Sequence, residues 1–340
     1  VQMHLFPAAY YEDVTNDGVK DLLISPNALF GAEDRRSVAL YINQGTNSLP
    51  NWMYVSNDFL QGNMIDVGVG AHPVAVDIDG DGDQDLVIAS RTYDTENLMN
   101  KSYLHLLRND TLDGGEHYFN WVSSDWLGLS AMNWQSIFPS FGDWDADGDL
   151  DMMVGELNGF LHAIENIGST ENFVAATPVT VDDVNGSVID LGQSTTPQLV
   201  DLNVDGAMDL VVGEKNGNVN YFKNVGTNAQ PQWSLVTDSL AGAMASNYLG
   251  VDGYSVPFAQ LDEAGGWNLF LGTERGFINQ YHFETASPQI GTLVVEDWEG
   301  IREGDRSSIS MADITGDGSL DLLYGHSGGG IALYTGDSII

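Results

Sequence analysis

Apolar and polar positions alternate in blocks along this chain, and the same block returns six times. Each copy centres on a short apolar run: Leu22-Leu23-Ile24, Leu86-Val87-Ile88, Met152-Met153-Val154, Leu210-Val211-Val212, Leu269-Phe270-Leu271 and Leu322-Leu323-Tyr324. A brief apolar stretch, often opened by proline, precedes it, as at Pro73, Pro197 and Pro257. After the run come a polar turn and a second segment with period-two alternation, as at 159–166 and 217–224. An Asn-x-Gly step follows (Asn43 and Gly45, Asn166 and Gly168, Asn224 and Gly226), then a spacer and an aromatic residue, Trp52, Phe173 or Trp233. Period-two runs of this length punctuated by Gly, Pro and Asn predict strands and hairpins. No stretch longer than about ten residues holds the helical period. Each unit therefore predicts four strands, and the repeat start points lie about 53 to 66 residues apart, a spacing typical of propellers and arrays.

What joins the first two strands of a unit is not an ordinary turn. Five units carry Asp-x-(Asp/Asn/Thr)-x-Asp-Gly-x-x-Asp immediately before the apolar run. The copies are Asp13, Thr15, Asp17 and Asp21; Asp77, Asp79, Asp81 and Asp85; Asp143, Asp145, Asp147 and Asp151; Asp201, Asn203, Asp205 and Asp209; and Asp313, Thr315, Asp317 and Asp321. A sixth copy, 260–268, keeps the apolar frame and loses most of the carboxylates. Alternate residues of a tight loop can point inward, so positions 1, 3, 5 and 9 can offer side-chain oxygens and position 7 a carbonyl, the hard donors that Ca2+ requires. Glycine at position 6 permits the positive φ of a sharp turn. The loop is like the first nine positions of an EF-hand. Apolar strand residues such as Ile24 and Ile88 stand where its twelfth-position Glu would be, and no helices flank it, so an EF-hand is excluded. About five Ca2+ sites are expected, tightest at the two loops with four carboxylates.

These units resemble FG-GAP/VCBS-type repeats, the propeller repeats of integrin α-subunit heads and of many bacterial surface proteins. The resemblance spans nearly all of residues 1–340 as a single domain. It implies an all-β propeller of four-stranded blades, six by count of the units, with seven, the family's common number, still open. The last unit stops soon after Ile331–Tyr334, and residues 1–6 could supply its fourth strand. The resemblance further implies an extracellular or bacterial cell-surface setting and a role in protein interaction or adhesion. A lectin-like propeller, or an accessory domain of a polysaccharide-degrading enzyme, is the alternative.

Composition sharpens this picture. Of 340 residues, 49 are Asp or Glu and only 11 are Lys or Arg, for a formal charge of −38. Such a surface repels nucleic acid and anionic membranes and favours cations. Five divalent ions would bring the charge to about −28. No cysteine is present, so bound metal rather than disulfides is the expected staple. No apolar run reaches the roughly 18 residues of a membrane span, so no membrane insertion is expected. The opening residues carry no secretory leader pattern; a processed chain or a segment of a longer protein is the expectation.

No catalytic centre is expected. Gly325-His326-Ser327-Gly328-Gly329 spells a nucleophile-elbow pattern, yet it falls between two strands, where a hairpin turn and not a strand–turn–helix is expected. The seven His residues form no His-x-x-x-His pair. Apolar residues at loop position 2 (Val14, Ile78, Trp144, Leu202, Ile314) are expected in the core, and Trp52 and Trp233 between blades. Trp121, Trp126 and Trp134 recur in no other unit and read as either a local satellite core or an aromatic ligand platform. Long connections at 26–36, 91–101, 121–134 and 241–254 belong to the face opposite the acidic loops. They carry Arg35, Arg36, Arg91 and Lys101, a large share of the few cations. That face is the expected partner surface, for another surface protein or a glycan.

Overall fold

The computed structural model describes residues 8–25, 38–60, 64–94, 99–111, 118–227, 230–245 and 253–336. Within them the chain forms six antiparallel sheets, five of four strands and a last one of three. The first strands are Ala8–Glu12, Val69–Val76, Phe138–Gly142, Thr196–Val200, Val256–Leu261 and Ser308–Ala312. The second, carrying the apolar runs, are Asp21–Ser25, Asp85–Asp94, Asp151–Gly155, Asp209–Gly213, Trp267–Gly272 and Asp321–Gly325. Third strands are Ala39–Asn43, Met99–Asn109, Leu161–Ile164, Val219–Asn224, Ile278–Phe283 and Ile331–Tyr334. Fourth strands are Trp52–Ser56, Phe119–Ser123, Val179–Thr180, Trp233–Thr237 and Gly291–Val295. Within each sheet the strands lie in chain order, as the repeat predicts. Residues 1–6, expected to complete the last sheet, lie outside the described residues.

In the ring, the central runs of the second strands are apolar at every position because they are covered on both faces. Met152–Val154, Leu210–Val212 and Leu322–Tyr324 are all buried. Cores form between neighbouring sheets: sheets two and three share Ile78, Val87, Ile137 and Met152, sheets three and four share Trp144, Met153, Leu199 and Leu210, and sheets four and five share Leu202, Val211, Ala259 and Leu269. Glycine makes the close docking possible. A Cβ on Gly155 would lie 2.2 Å from the Thr195 carbonyl oxygen, on Gly213 2.2 Å from that of Ser255, and on Gly272 2.3 Å from that of Ser307.

Ring closure is made by sheet six on sheet two. A Cβ on Gly325 would lie 2.3 Å from the Ala71 carbonyl oxygen. Gly70 N and Ala71 N donate to Ser327 O and His326 O at 3.0 Å, as Ser194 N and Thr195 N donate to Leu157 O and Glu156 O at the seam between sheets three and four. Ile314, Leu323, Leu86 and Ile88 form the core of this closing seam. First strands of sheets two to six line one central channel.

The six sheets match the six units counted in the sequence, and among the described residues sheet one makes none of the seam contacts of that ring. Every residue of Ala8–Glu12 is exposed, and among the described residues the hydrophobic cluster of Leu22, Ile24 and Ala39 draws only on Tyr41 and Trp52 of the same sheet. Two expectations change as a result. Val14, at loop position 2, is exposed, whereas Ile78, Trp144, Leu202 and Ile314 are buried, because only these four have a neighbouring sheet to fill. Trp52 meets Tyr11 edge-on at 5.5 Å within its own sheet, while Trp233 is buried between sheets three and four.

Candidate functional site: acidic loops on one face and a cationic channel mouth on the other

All five acidic loops join first to second strands, so the four in the ring share one of its faces. Their internal wiring is nearly identical. The position-1 carboxylate accepts backbone N–H groups from positions 5 and 6: Asp13 from Asp17 and Gly18 at 3.1 and 2.8 Å, Asp201 from Asp205 and Gly206 at 3.0 and 2.8 Å, Asp313 from Asp317 and Gly318 at 3.1 and 2.9 Å. The turn needs left-handed backbone twice. Position 6 is glycine in every loop, and position 4 has positive φ as well, at Asn16, Gly80, Ala146, Val204 and Gly316. Sequence reading identified only the first of these, because position 4 tolerates such varied side chains.

Position 9 does more than point at a metal. Asp21, Asp85, Asp151, Asp209 and Asp321 are fully buried. Each accepts a backbone N–H at or just past the end of its third strand: Asn43 at 2.9 Å, Asn109 at 2.7 Å, Asn166 at 2.8 Å, Asn224 at 2.8 Å and Gly336 at 2.8 Å. In four loops it also accepts the N–H of position 2, at Val14, Ile78, Trp144 and Ile314. The asparagine of the Asn-x-Gly step then turns the chain into strand four: Asn166 Oδ1 accepts Gly168 N at 3.0 Å and Val174 N at 2.9 Å. A Cβ on Gly168 would sit 2.1 Å from the Asn172 carbonyl oxygen, which explains that motif's glycine.

Carboxylate oxygens converge most closely in two loops. Asp77, Asp79 and Asp81, and separately Asp143, Asp145 and Asp151, each bring one oxygen within 4.8 Å of the others. Buried oxygens without a hydrogen-bond partner concentrate in these loops: Asp79 Oδ1, Asp143 Oδ1, Asp149 Oδ1 and, in the last loop, Thr315 Oγ1. Unsatisfied buried oxygens in like-charged groups are costly, and a hard divalent cation with oxygen ligands is what such a set fits. Titration behaviour agrees. Burial first, then nearby carboxylates, pushes Asp85 up to about 6 and Asp151 up to about 7. Asp79 and Asp145 are also raised, by burial and then by their acidic neighbours. A bound Ca2+ would supply the charge that reverses this, held by the Asp77 and Asp143 groups.

The other loops differ in how their oxygens are used. In loop four Lys223 Nζ lies 3.0 Å from Asp205 Oδ2, and Asn203 Nδ2 and Tyr221 OH both donate to Asp209 Oδ2, at 2.7 and 2.9 Å. An ammonium thus occupies part of the place that a metal would take. In loop one Thr15 Oγ1 donates to Asp21 Oδ2 at 3.3 Å. At the degraded copy, His282 Nε2 pairs with Asp262 Oδ2 at 3.0 Å, and a side chain replaces the cation.

On the opposite face, the turns after the second strands surround the mouth of the channel. Gly325–Gly329 is a hairpin turn there, with Gly328 N donating to His326 Nδ1 at 3.0 Å, as its placement between strands predicts. Five left-handed residues ring the mouth, one per sheet: Gly70, Ser136, Ser194, Tyr254 and Arg306. Their side chains share no pattern, so nothing in the sequence announces them. Among the described strands, those of the hairpin between the second and third strands of sheet two are the longest, Asp85–Asp94 and Met99–Asn109. Arg35, Arg36 and the connection at 26–36 lie outside the described residues, as does 246–252. The three tryptophans are divided between two seams. Trp121 packs beside the seam between sheets six and two. Trp126 and Trp134 pack between sheets two and three, Trp134 stacking on His162 at 4.1 Å. All three are half-buried against their seams and do not form one platform.

Comparison with known proteins follows this geometry. No curated protein matches the sequence. Among solved structures, the chain is similar to a sialidase of Trypanosoma rangeli at 10% identity and a TM-score of 0.41, over 97% of this chain and 54% of that one. It is similar to the Photorhabdus luminescens Tc holotoxin pore at 17% identity and a TM-score of 0.35, over 98% of this chain and 14% of that one. The chain thus spans about half of the first and a small part of the second. No helix of the described residues is long and apolar enough to cross a membrane. Residues 77–154, which hold the two loops where carboxylates converge, match the model of the FG-GAP-like repeat. The same strand order recurs in all six sheets, and the fold is a β-propeller in which residues 77–154 are an FG-GAP-like repeat.

Proposed function

We propose that this chain is an extracellular, calcium-loaded interaction module, in which Ca2+ sets the acidic face and a partner docks on the face across the ring. The observation that carries the calcium reading is the set of partnerless buried oxygens inside the acidic loops. The metal's role is structural: it discharges carboxylates whose ionisation the fold otherwise opposes, and holds the turn between the first two strands of a sheet. Support for the partner face comes from the distribution of cations and loops. Where 49 acids outnumber 11 cations, Arg91 and Arg306 both open onto the channel mouth, beside the hairpin of the longest described strands. Loops raised on a rigid scaffold are the usual place for recognition.

The test displays the chain on beads and screens protein and glycan arrays in calcium and in chelator. A second sample has residues 93–100 replaced by a four-residue turn, leaving Arg91 in place. Calcium-dependent capture that disappears on trimming is the expected outcome; capture unchanged by trimming refutes this placement. A glycan-binding role is the second reading, favoured by the hydroxyl-lined cavity at the same mouth.

A further inference from the structure

The cavity at the channel mouth measures about 330 Å³ and is lined by residues from all five sheets of the ring. Among the described residues that line it there is no Asp or Glu, although acids make up 49 of 340 positions in the chain. Two guanidinium groups face it instead. Arg91 is half-buried and donates to Ser136 Oγ at 3.5 Å. Arg306 lies with its guanidinium 4.2 Å from the Tyr254 ring centroid and is braced from behind by Glu274 at 3.3 Å. The two cations are close enough to oppose each other's charge: burial and then Arg306 lower the pKa of Arg91. His72 lines the same cavity, and burial, then Arg91 and Arg306, hold it down at about 3, so that its ring is neutral. The ring packs on Phe138 at 3.9 Å, and its Nδ1 is buried without a partner.

Ser136, Tyr254 and Arg306 hold left-handed φ of 48°, 46° and 57° at this mouth, and strained backbone of this kind is found at sites that hold a ligand. Two like charges, an orphan ring nitrogen and a rim of serine hydroxyls form a set that an anion completes. The hydroxyls add capacity to pair with a polyhydroxylated body, and Phe138 and Tyr254 offer it apolar faces. The volume lies at the small end of ligand pockets.

We propose that the channel mouth binds a sugar acid, with its carboxylate clamped between Arg91 and Arg306 and its hydroxyls met by the serine rim. This deepens the reading of the face as a partner surface by naming a ligand class. It is tested apart from that reading, because none of the described residues of the trimmed hairpin lines the cavity.

The experiment is calorimetric titration of the full chain in calcium with D-glucuronate, D-glucose, acetate and an acidic tripeptide. Glucuronate binds, and glucose and acetate each bind at least about tenfold more weakly, since each lacks half of the recognised groups. Arg91→Gln and Arg306→Gln each weaken glucuronate by about tenfold or more, while Arg91→Lys retains part of it; melting curves identify any variant that fails to fold. The hairpin-trimmed chain still binds glucuronate, whether or not it captures array partners. Glucuronate affinity unchanged in folded Arg91→Gln overturns the proposal, as does no glucuronate binding at all. Acetate or the tripeptide binding as tightly as glucuronate overturns the sugar assignment.

Discussion

Replacing Gly213 with Ala tests how the sheets of the ring dock. Gly213 ends the second strand of sheet four, and an added Cβ would lie 2.2 Å from Ser255 O, 2.5 Å from Thr196 Oγ1 and 2.8 Å from Pro257 Cδ. Two of these three atoms belong to the next sheet, and neither a backbone carbonyl nor a proline ring can swing aside. Thr196 Oγ1 meanwhile donates to Ser255 O at 2.8 Å in a buried setting. Overpacking of this kind costs about 1–3 kcal/mol, and loss of one buried hydrogen bond adds about 1. The expected destabilisation is therefore about 2–4 kcal/mol. Gly148→Ala is the internal reference: its φ is +100° and no atom lies within 4 Å of its Cβ position, so only backbone strain of about 1–2 kcal/mol applies. Urea unfolding in saturating calcium, followed by tryptophan fluorescence, reads both, since Trp233 is buried between sheets three and four. If Gly213→Ala costs less than Gly148→Ala, the sheets do not dock in the register described here.

Two further outcomes are expected. In chelator, lowering the pH from about 7.5 to 5.5 should raise the melting temperature of the chain relative to that of an Asp85→Asn, Asp151→Asn variant. Asp85 and Asp151 titrate at about 6 and 7 in the fold but near 3.9 when unfolded, so these two groups bind more protons in the folded state across this window and favour it as pH falls. His72, held at about 3, acts in the opposite sense in both chains and cancels in the comparison. A difference between the two chains that does not grow as pH falls contradicts the assignment of those carboxylates. Removing residues 1–60 should leave the ring folded, because every hydrogen bond described for residues 8–60 closes within that segment and the seam between sheets six and two does not involve it. Loss of cooperative unfolding in the truncated chain would show that sheet one is part of the ring's support.

Much of this was legible because the informative residues are local. Nine consecutive positions define each acidic loop, and the apolar run after it is apolar at every position because both of its faces are covered. The Asn-x-Gly step was visible as a repeat, although its work, an asparagine amide holding the turn into strand four, needed coordinates. What the sequence concealed is long-range. Sheet six docks on sheet two through backbone groups of Gly70, Ala71, His326 and Ser327, and backbone contacts leave no residue signature. Val14 and Ile78 look alike in the repeat, yet only Ile78 has a neighbour to cover it. The channel mouth was half legible: Arg91 drew notice as a scarce cation on a long connection, while Arg306 sits more than 200 positions away and meets it only when the ring closes.

Calcium titration monitored by melting temperature bears most directly on the claim that the acidic turns cage divalent ions. With dissociation constants of about 10⁻⁴–10⁻³ M for modules of this type, 10 mM calcium should contribute about 1.4–2.7 kcal/mol per site. For the two loops where carboxylates converge this amounts to about 3–5 kcal/mol, or about 4–8 °C at the entropy of unfolding expected for a chain of this length. Asp79→Asn combined with Asp145→Asn should remove most of that rise. A chain that melts at one temperature in chelator and in 10 mM calcium would contradict the account.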